Sequence, residues 1–289
     1  MLTKIIRVPA KGYRFVKRQI NKNTQSIIIG ITNLVGIDLL SLAYKNIGIL
    51  NFKGHEATGE QFLINQYLHK LIKKNQPIFF DIGANIGEYS TLLRHSFPMA
   101  HIFAFEPNKH TFEILNLVAK KENLKAFCVG MSSVKNETEI FFNTDDPKTQ
   151  LASLYKETLE NNYDKQKISS IKINLITLDD FCDENKIDHI DFLKIDTEGH
   201  EFDVLKGASK LIYLDKIDII QFEFNEMNII SRVFLKDFYV VLKNYNIYRL
   251  SKNTLIDIKQ YKSKNEIFQF QNILAVSKKI DENIHNSIR

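Results

Sequence analysis

The chain has 289 residues, 44% of them hydrophobic and 25% charged, with 11 glycines and 5 prolines, which excludes disordered, collagen-like and small disulfide-scaffold classes. Two cysteines, Cys128 and Cys182, without a CxxC pair or a recognisable signal peptide, point to a reducing cytoplasm and away from a structural zinc site. The net charge of +5 is uneven: residues 1–25 carry seven basic side chains and no acid, which leaves −2 for the rest. A nearly neutral body argues against a nucleic-acid groove.

In the basic arm, Lys4, Arg7, Lys11, Arg14 and Arg18 recur every three or four residues, the spacing of one helical face, with Pro9 and Gly12 as interruptions. Two uses stay open at this point. One is peripheral contact, at the inner face of a membrane, with anionic headgroups or a phosphorylated membrane-bound saccharide. The other is packing on a partner subunit of a homo-oligomer. Residues 26–44 are rich in Ile and Leu but contain Thr32, Asn33 and Asp38. An Asp costs roughly 2.5–3.5 kcal/mol at a bilayer centre, so a spanning helix is disfavoured and a helix buried against the main domain or a second subunit is expected. The reading is an arm with an apolar helical extension over 1–60 and a main domain over 61–289.

An apolar stripe predicts a helix over 60–74, closed by Asn75 and Pro77. Strands and helices then alternate: strand 78–82, helix 88–96, strand 101–105, helix 109–121, strand 125–129. This is the pattern of βαβ units in a parallel sheet. Strands at 138–142 and 171–176 flank a polar stretch, 143–170, too long to be a simple loop and suited to substrate selection. A short helix at 179–184, strand 191–195, helix 201–212 and strand 217–224 follow, then a helix at 234–244 and terminal strands at 247–250 and 268–276.

The chemistry concentrates where strands meet helices. The stretch Phe80-Asp81-Ile82-Gly83-Ala84-Asn85-Ile86-Gly87-Glu88 leads a buried strand into a helix start, where unpaired N–H groups make an electropositive end. Dinucleotide fingerprints read GxGxxG so that a pyrophosphate can rest there. Here the glycines stand four apart behind an acid, which suits a cationic ligand such as an amino-acid ammonium. Glu106, nineteen residues after Gly87 and at the next strand's tip, is placed to accept hydrogen bonds from ribose hydroxyls. A ligand with an amino-acid cation at one end and a ribose at the other is S-adenosylmethionine. A second acidic cluster, Asp196, Glu198, His200 and Glu201, follows the strand at 191–195. Ligands bind at this carboxyl edge in open α/β sheets.

These pieces resemble the FkbM family of S-adenosylmethionine-dependent methyltransferases. The matching segments are Asp81 to Gly87, Phe105-Glu106-Pro107, Thr177-Leu178-Asp179-Asp180-Phe181, and Leu193 to Glu201 leading to Val204-Leu205-Lys206-Gly207-Ala208. The resemblance implies an α/β class I (Rossmann-like) methyltransferase fold, a seven-stranded, mostly parallel sheet with an antiparallel last strand, and O-methylation of sugar or polyketide-type hydroxyls. It implies that Asp81, Gly83, Asn85 and Gly87 line the methionine side of S-adenosyl-L-methionine. Glu106, with Pro107, holds the ribose, and Met131 and Ser132 flank the adenine.

His200, with a near-neutral intrinsic pKa, is the candidate base for the acceptor hydroxyl, and Asp196 or Glu198 could orient it. The metal-free route is ranked above one in which Asp196, His200 and Glu223 hold a divalent cation. A nicotinamide-dependent oxidoreductase is the rival class, and the missing GxGxxG argues against it. Glu223, Asn225 and Glu226 are expected at the acceptor pocket, Tyr155 and Lys156 as further substrate contacts. Cys128 reads as core, and His55 and His69 as surface or packing residues.

Overall fold

The computed structural model describes residues 22–145, 152–160 and 167–281. The chain divides into two compact units, Met1–Asn46 and Ile47–Arg289. The second unit therefore starts before residue 61. The reason is local: Ile49 forms an antiparallel bridge with Gln271, and the Leu50 N–H donates to the Phe270 carbonyl.

In the first unit the described residues form two helices, Lys22–Leu34 and Leu39–Asn46, separated by a turn at Gly36, whose φ of 68° suits a residue without Cβ. Most of the basic arm, residues 1–21, lies outside the described residues. Ile27, Ile28, Ile29, Ile31, Leu34, Leu40 and Leu42 of this unit are exposed.

The second unit carries eleven strands among the described residues: β1 (Ile78–Ile82), β2 (His101–Phe105), β3 (Lys125–Phe127), β4 (Gly130–Met131), β5 (Asn136–Asn143), β6 (Ile168–Ile176), β7 (Ile190–Ile195), β8 (Ile217–Phe224), β9 (Tyr245–Ser251), β10 (Thr254–Asp257) and β11 (Gln271–Ser277). The main sheet runs β10-β9-β11-β8-β7-β1-β2-β3. Strands β3, β2, β1, β7 and β8 are parallel, and β11 is antiparallel to both its neighbours. Seven of these strands give the expected architecture, with the antiparallel strand lying next to the edge. The count is eight, not seven, because β10 folds back on β9 through a two-residue turn at Lys252 and Asn253. That turn lacks the Asn-Gly or Asp-Gly pair that announces a tight hairpin.

The central strands are mostly apolar because both sheet faces are covered. Phe80, Ile82, Leu193, Ile195, Ile220 and Phe222 point to one face, toward the helices Leu178–Asn185, Glu201–Lys206 and Leu235–Val241. Phe79, Phe192, Ile219 and Leu274 point to the other, against Leu63, Leu68 and the helix Glu88–Ser96. The helix expected over 60–74 runs from Glu60 to Leu71 and widens into a π-turn at Leu63–Tyr67. The strands flanking the polar stretch, β5 and β6, pair with each other, and β6 also pairs with β4, in a separate sheet, β4-β6-β5. Within that stretch the structure describes residues 152–160, where Ser153 bridges to Phe141 and Lys156–Glu160 forms one helical turn.

Candidate active site

Three strand tips, those of β1, β2 and β7, meet at the carboxyl edge of the sheet. The Asp196 N–H donates to the Ile82 carbonyl at 2.9 Å, and the Gly83 and Ala84 N–H groups both donate to the Phe105 carbonyl. The tips are so close that a Cβ on Gly83, which has φ of 78°, would lie 1.7 Å from the Asp196 carbonyl oxygen. Only glycine fits there. Above this junction opens a cavity of about 570 Å³, within the range of small-molecule sites.

One end of the cavity is built by Gly83, Asn85, Glu106, Pro107 and Met131, as expected from sequence. Glu106 stands just beyond β2 and is nearly fully buried. Its Oε2 accepts the Asn85 N–H at 3.1 Å and its Oε1 the Asn108 N–H at 2.8 Å. Burial nevertheless pushes its carboxyl up to about 7. A carboxylate desolvated in this way and facing the cavity gains from hydrogen-bond donors such as ribose hydroxyls.

Asp81 does not join it. The side chain is fully buried and is absent from the cavity wall. Its Oδ2 accepts a 2.6 Å bond from the Ser90 hydroxyl, and burial raises its pKa against the pull of Lys194. Lys194, itself buried, places Nζ 2.8 Å from Asp196 Oδ2 and 4.7 Å from the centre of the Tyr89 ring. Burial works against its charge, but Asp196, Asp81 and Glu60 outweigh burial and hold its pKa above the ordinary lysine range. Asp81 thus lies beneath the cavity wall, bonded to Ser90. Gly87 also sits outside the wall: a Cβ there would press on Leu115 at 2.9 Å, so it serves packing against the helix Lys109–Glu122.

The other end is acidic. Asp196, Glu198, Glu223 and Glu226 line it, with His200, Asn225 and Asn272. Glu198 turns the chain with φ of 53°, and its carboxyl is pushed well up by burial and by Asp196, Glu201 and Glu226. Glu223 is pushed up in the same way, with Asp196 and Glu198 as its nearest charged causes after burial. Glu201 organises the turn: its Oε1 accepts from the Thr197 N–H, the Thr197 hydroxyl and the Gly199 N–H. Burial raises its carboxyl to about 7.

His200 lines the cavity with Nε2 2.9 Å from Ser132 Oγ and Nδ1 3.3 Å from the Tyr155 hydroxyl. Burial holds its pKa below the ordinary histidine value. Ser132, expected beside an adenine, is instead outside the cavity wall and fixes this ring. Both nitrogens are engaged, so the grouping of His200 with Asp196 and Glu223 around a cation is not preformed. Among the described residues the close-set histidine–carboxylate group is His189, Asp191 and Asp218, at the opposite edge, where Lys74 already pairs with Asp191.

Sequence reading missed the wall supplied by residues before β1. Phe52, His55 and Glu60 line the cavity. His55 Nδ1 lies 2.7 Å from Glu60 Oε2, and the Gln221 amide donates to Glu60 Oε1 while Tyr89 donates to Gln221 Oε1. The hydrogen bond that His55 donates to the Glu60 carboxylate raises the His55 pKa. His69 does stack on Phe97, as a packing residue should. Cys128, read as core, is exposed because β3 ends at Phe127. A lysine inside the apolar run Phe192-Leu193-Lys194-Ile195 was the one legible signal for the buried charge network.

The sheet order and the carboxyl-edge cavity define a class I methyltransferase architecture. The family model described as "Methyltransferase FkbM domain" matches residues 81–245, and the chain belongs to that family. Its relatives include methyltransferase sdnD of Sordaria araneosa, 27% identical over 160 residues, which cover 47% of this chain and 62% of that protein. Hexuronic acid methyltransferase AglP of Haloferax volcanii is 27% identical over 53% of this chain and 58% of its own length. The 2-O-methyltransferase NoeI of Sinorhizobium fredii is 22% identical over 57% and 70%. The chain thus spans about three-fifths of the length of the first two.

Proposed function

We propose that this chain is an S-adenosylmethionine-dependent O-methyltransferase acting on a hydroxyl of an uncharged or cationic sugar. The observation that carries this reading is one cavity whose wall holds both a buried ribose-type acceptor, Glu106, and His200. The donor set fits the cofactor: Gly83 lines the cavity, Glu106 can accept from the hydroxyls of a ribose, and Met131 and Pro107 give apolar walls for a base. S-adenosylmethionine supplies, when bound, a methyl group activated by a positively charged sulfur. The protein's task is then to align the acceptor and take its proton, and orientation can supply roughly 7–11 kcal/mol.

In this reading Nε2 of His200 carries the proton and donates to Ser132 Oγ, which leaves Nδ1 as the base. Tyr155, the more loosely held partner at 3.3 Å, yields its place to the acceptor hydroxyl. The lowered pKa keeps His200 neutral near pH 7 and ready to accept a proton. Asp196 stays bound to Lys194 and fixes the turn that presents His200.

The sugar class draws support from the names of AglP and NoeI. The charge of the acceptor is set by this chain's own wall. Glu198, Glu223 and Glu226 face the cavity, no arginine lines it among the described residues, and Lys194 is committed to Asp196. A hexuronate meets no free cation there, whereas a neutral or amino sugar does not need one.

Mass spectrometry of a nucleotide-sugar panel incubated with the protein and the cofactor should show a gain of one methyl group on neutral or amino sugars ahead of hexuronates. Absence of any methyl gain, with calorimetric silence toward S-adenosylhomocysteine, would overturn the reading. His200→Gln should lower turnover about 10²–10⁴-fold while leaving S-adenosylhomocysteine affinity unchanged. The limb of the wild-type pH profile that His200→Gln removes should rise through an acid-side pKa below 6.5, distinct from the Glu106 ionisation near 7.

A further inference from the structure

We propose that the helix pair Lys22–Leu34 and Leu39–Asn46 is a monotopic anchor that lies in the interfacial layer of an anionic lipid bilayer. Three observations converge on a lipid surface as the occupant. The first is exposure: Leu34 is 86% exposed, Leu40 61% and Ile27 60%, and Ile28, Ile29, Ile31, Val35, Ile37 and Leu42 are exposed too. A contiguous apolar patch of this kind on a small helical unit marks an interaction surface.

The second is that the polar groups inside the apolar stretch are satisfied locally. The Thr32 hydroxyl donates back to the Ile28 and Ile29 carbonyls. Asp38, at the bend, accepts the Leu40 and Ser41 N–H groups and the Ser41 hydroxyl, which caps the second helix. The Thr32 hydroxyl therefore needs no protein partner when its helix leaves water, and the charged Asp38, at the bend, belongs at the aqueous edge of the layer. The bend of 103° keeps Asp38 at one corner of the pair.

The third is charge and length together. Seven basic side chains and no acid within residues 1–25 adjoin the pair, complementary to anionic headgroups. At 1.5 Å per residue, 13 and 8 residues reach about 20 Å and 12 Å, less than the roughly 30 Å of a hydrocarbon core. No single described helix is long and apolar enough to cross a membrane. Only together do the two helices reach the length and apolar composition of a span, and bent by 103° beside a basic arm the pair fits the interfacial layer.

The test uses the full chain in co-sedimentation with vesicles of phosphatidylglycerol and phosphatidylcholine, against phosphatidylcholine alone. Binding to the anionic vesicles should be about tenfold or more stronger, and should weaken as salt is raised. The triple variant I28D/I31D/L40D should lose at least about tenfold in vesicle affinity with unchanged thermal unfolding of the second unit. K4Q/R7Q/K11Q should weaken binding to the anionic vesicles and flatten its salt dependence. Equal binding to both vesicle types, or full binding by the triple variant, overturns the proposal. So does a wild-type dimer that the triple variant converts to monomer, because the apolar faces then serve a second copy of the chain.

Discussion

Asp81 and Glu106 are acidic residues on neighbouring parallel strands, and the structure gives them opposite surroundings. In the register Asp81 lies opposite Ala104 and Ile82 opposite Phe105, so Glu106 is level with Gly83, two positions nearer the sheet edge. Two strand positions are about 6.6 Å. That distance separates a carboxylate held under the floor by Ser90 and Lys194 from one held at the cavity by two backbone N–H groups. An acid at a strand end is thus a ligand or a strut according to its register with its neighbour.

Four experiments break or sharpen this contrast. Lys194→Ala removes the cation shared by Asp81, Asp196 and Glu60. It should destabilise the fold by about 3–5 kcal/mol in urea unfolding, the usual result of stranding buried charge; a loss below about 1 kcal/mol would show that Asp81 is not a strut.

The second test is in pH. Glu106 and Glu201 both titrate near 7 in the folded protein and near 4.5 when unfolded. Between those values the unfolded chain loses the proton first, so stability is greatest below pH 4.5 from these groups and falls as pH rises toward 7. Each group contributes roughly 1.4 kcal/mol per pH unit in that window. Denaturation midpoints taken across the window should show the decline, and Glu106→Gln should remove about half of it.

Glu106→Gln should also weaken S-adenosylhomocysteine binding about 10–100-fold by calorimetry, whereas Asp81→Asn should leave the affinity within a few-fold and lower the unfolding midpoint. The reverse result would exchange the two roles. Ser90→Ala is the smallest change, at about 1–2 kcal/mol of stability with unaltered ligand affinity, because it removes one bond to a carboxylate whose Oδ1 is already unpartnered.

The apolar runs of β1, β2, β7 and β8 were legible because strands buried on both faces read as continuous hydrophobic stretches. The helix starts after Gly87 and Asn108 were legible from local chemistry. Glu106 and His200 were legible as site residues for the same reason: each stands where a strand ends. What stayed hidden depends on partners far along the chain. The Tyr89–Gln221 and Gln221–Glu60 bonds join residues 132 and 161 positions apart, and no local pattern encodes them. Ser132 and Tyr155 likewise meet His200 only through the β4-β6-β5 sheet and the segment beside it. The inward turn of Asp81 needed the register, which a single strand does not state.

The contact between Gly83 and the Asp196 carbonyl joins the turns after β1 and β7 back to back, with no room for a side chain between them. Lengthening or reshaping one turn would dislodge the other, so neither can vary freely to admit a new acceptor. The walls not joined there, the segment carrying Phe52 and His55 and the β5–β6 pair with Ile140 and Ile173, are free of that constraint and can be reshaped without disturbing the junction.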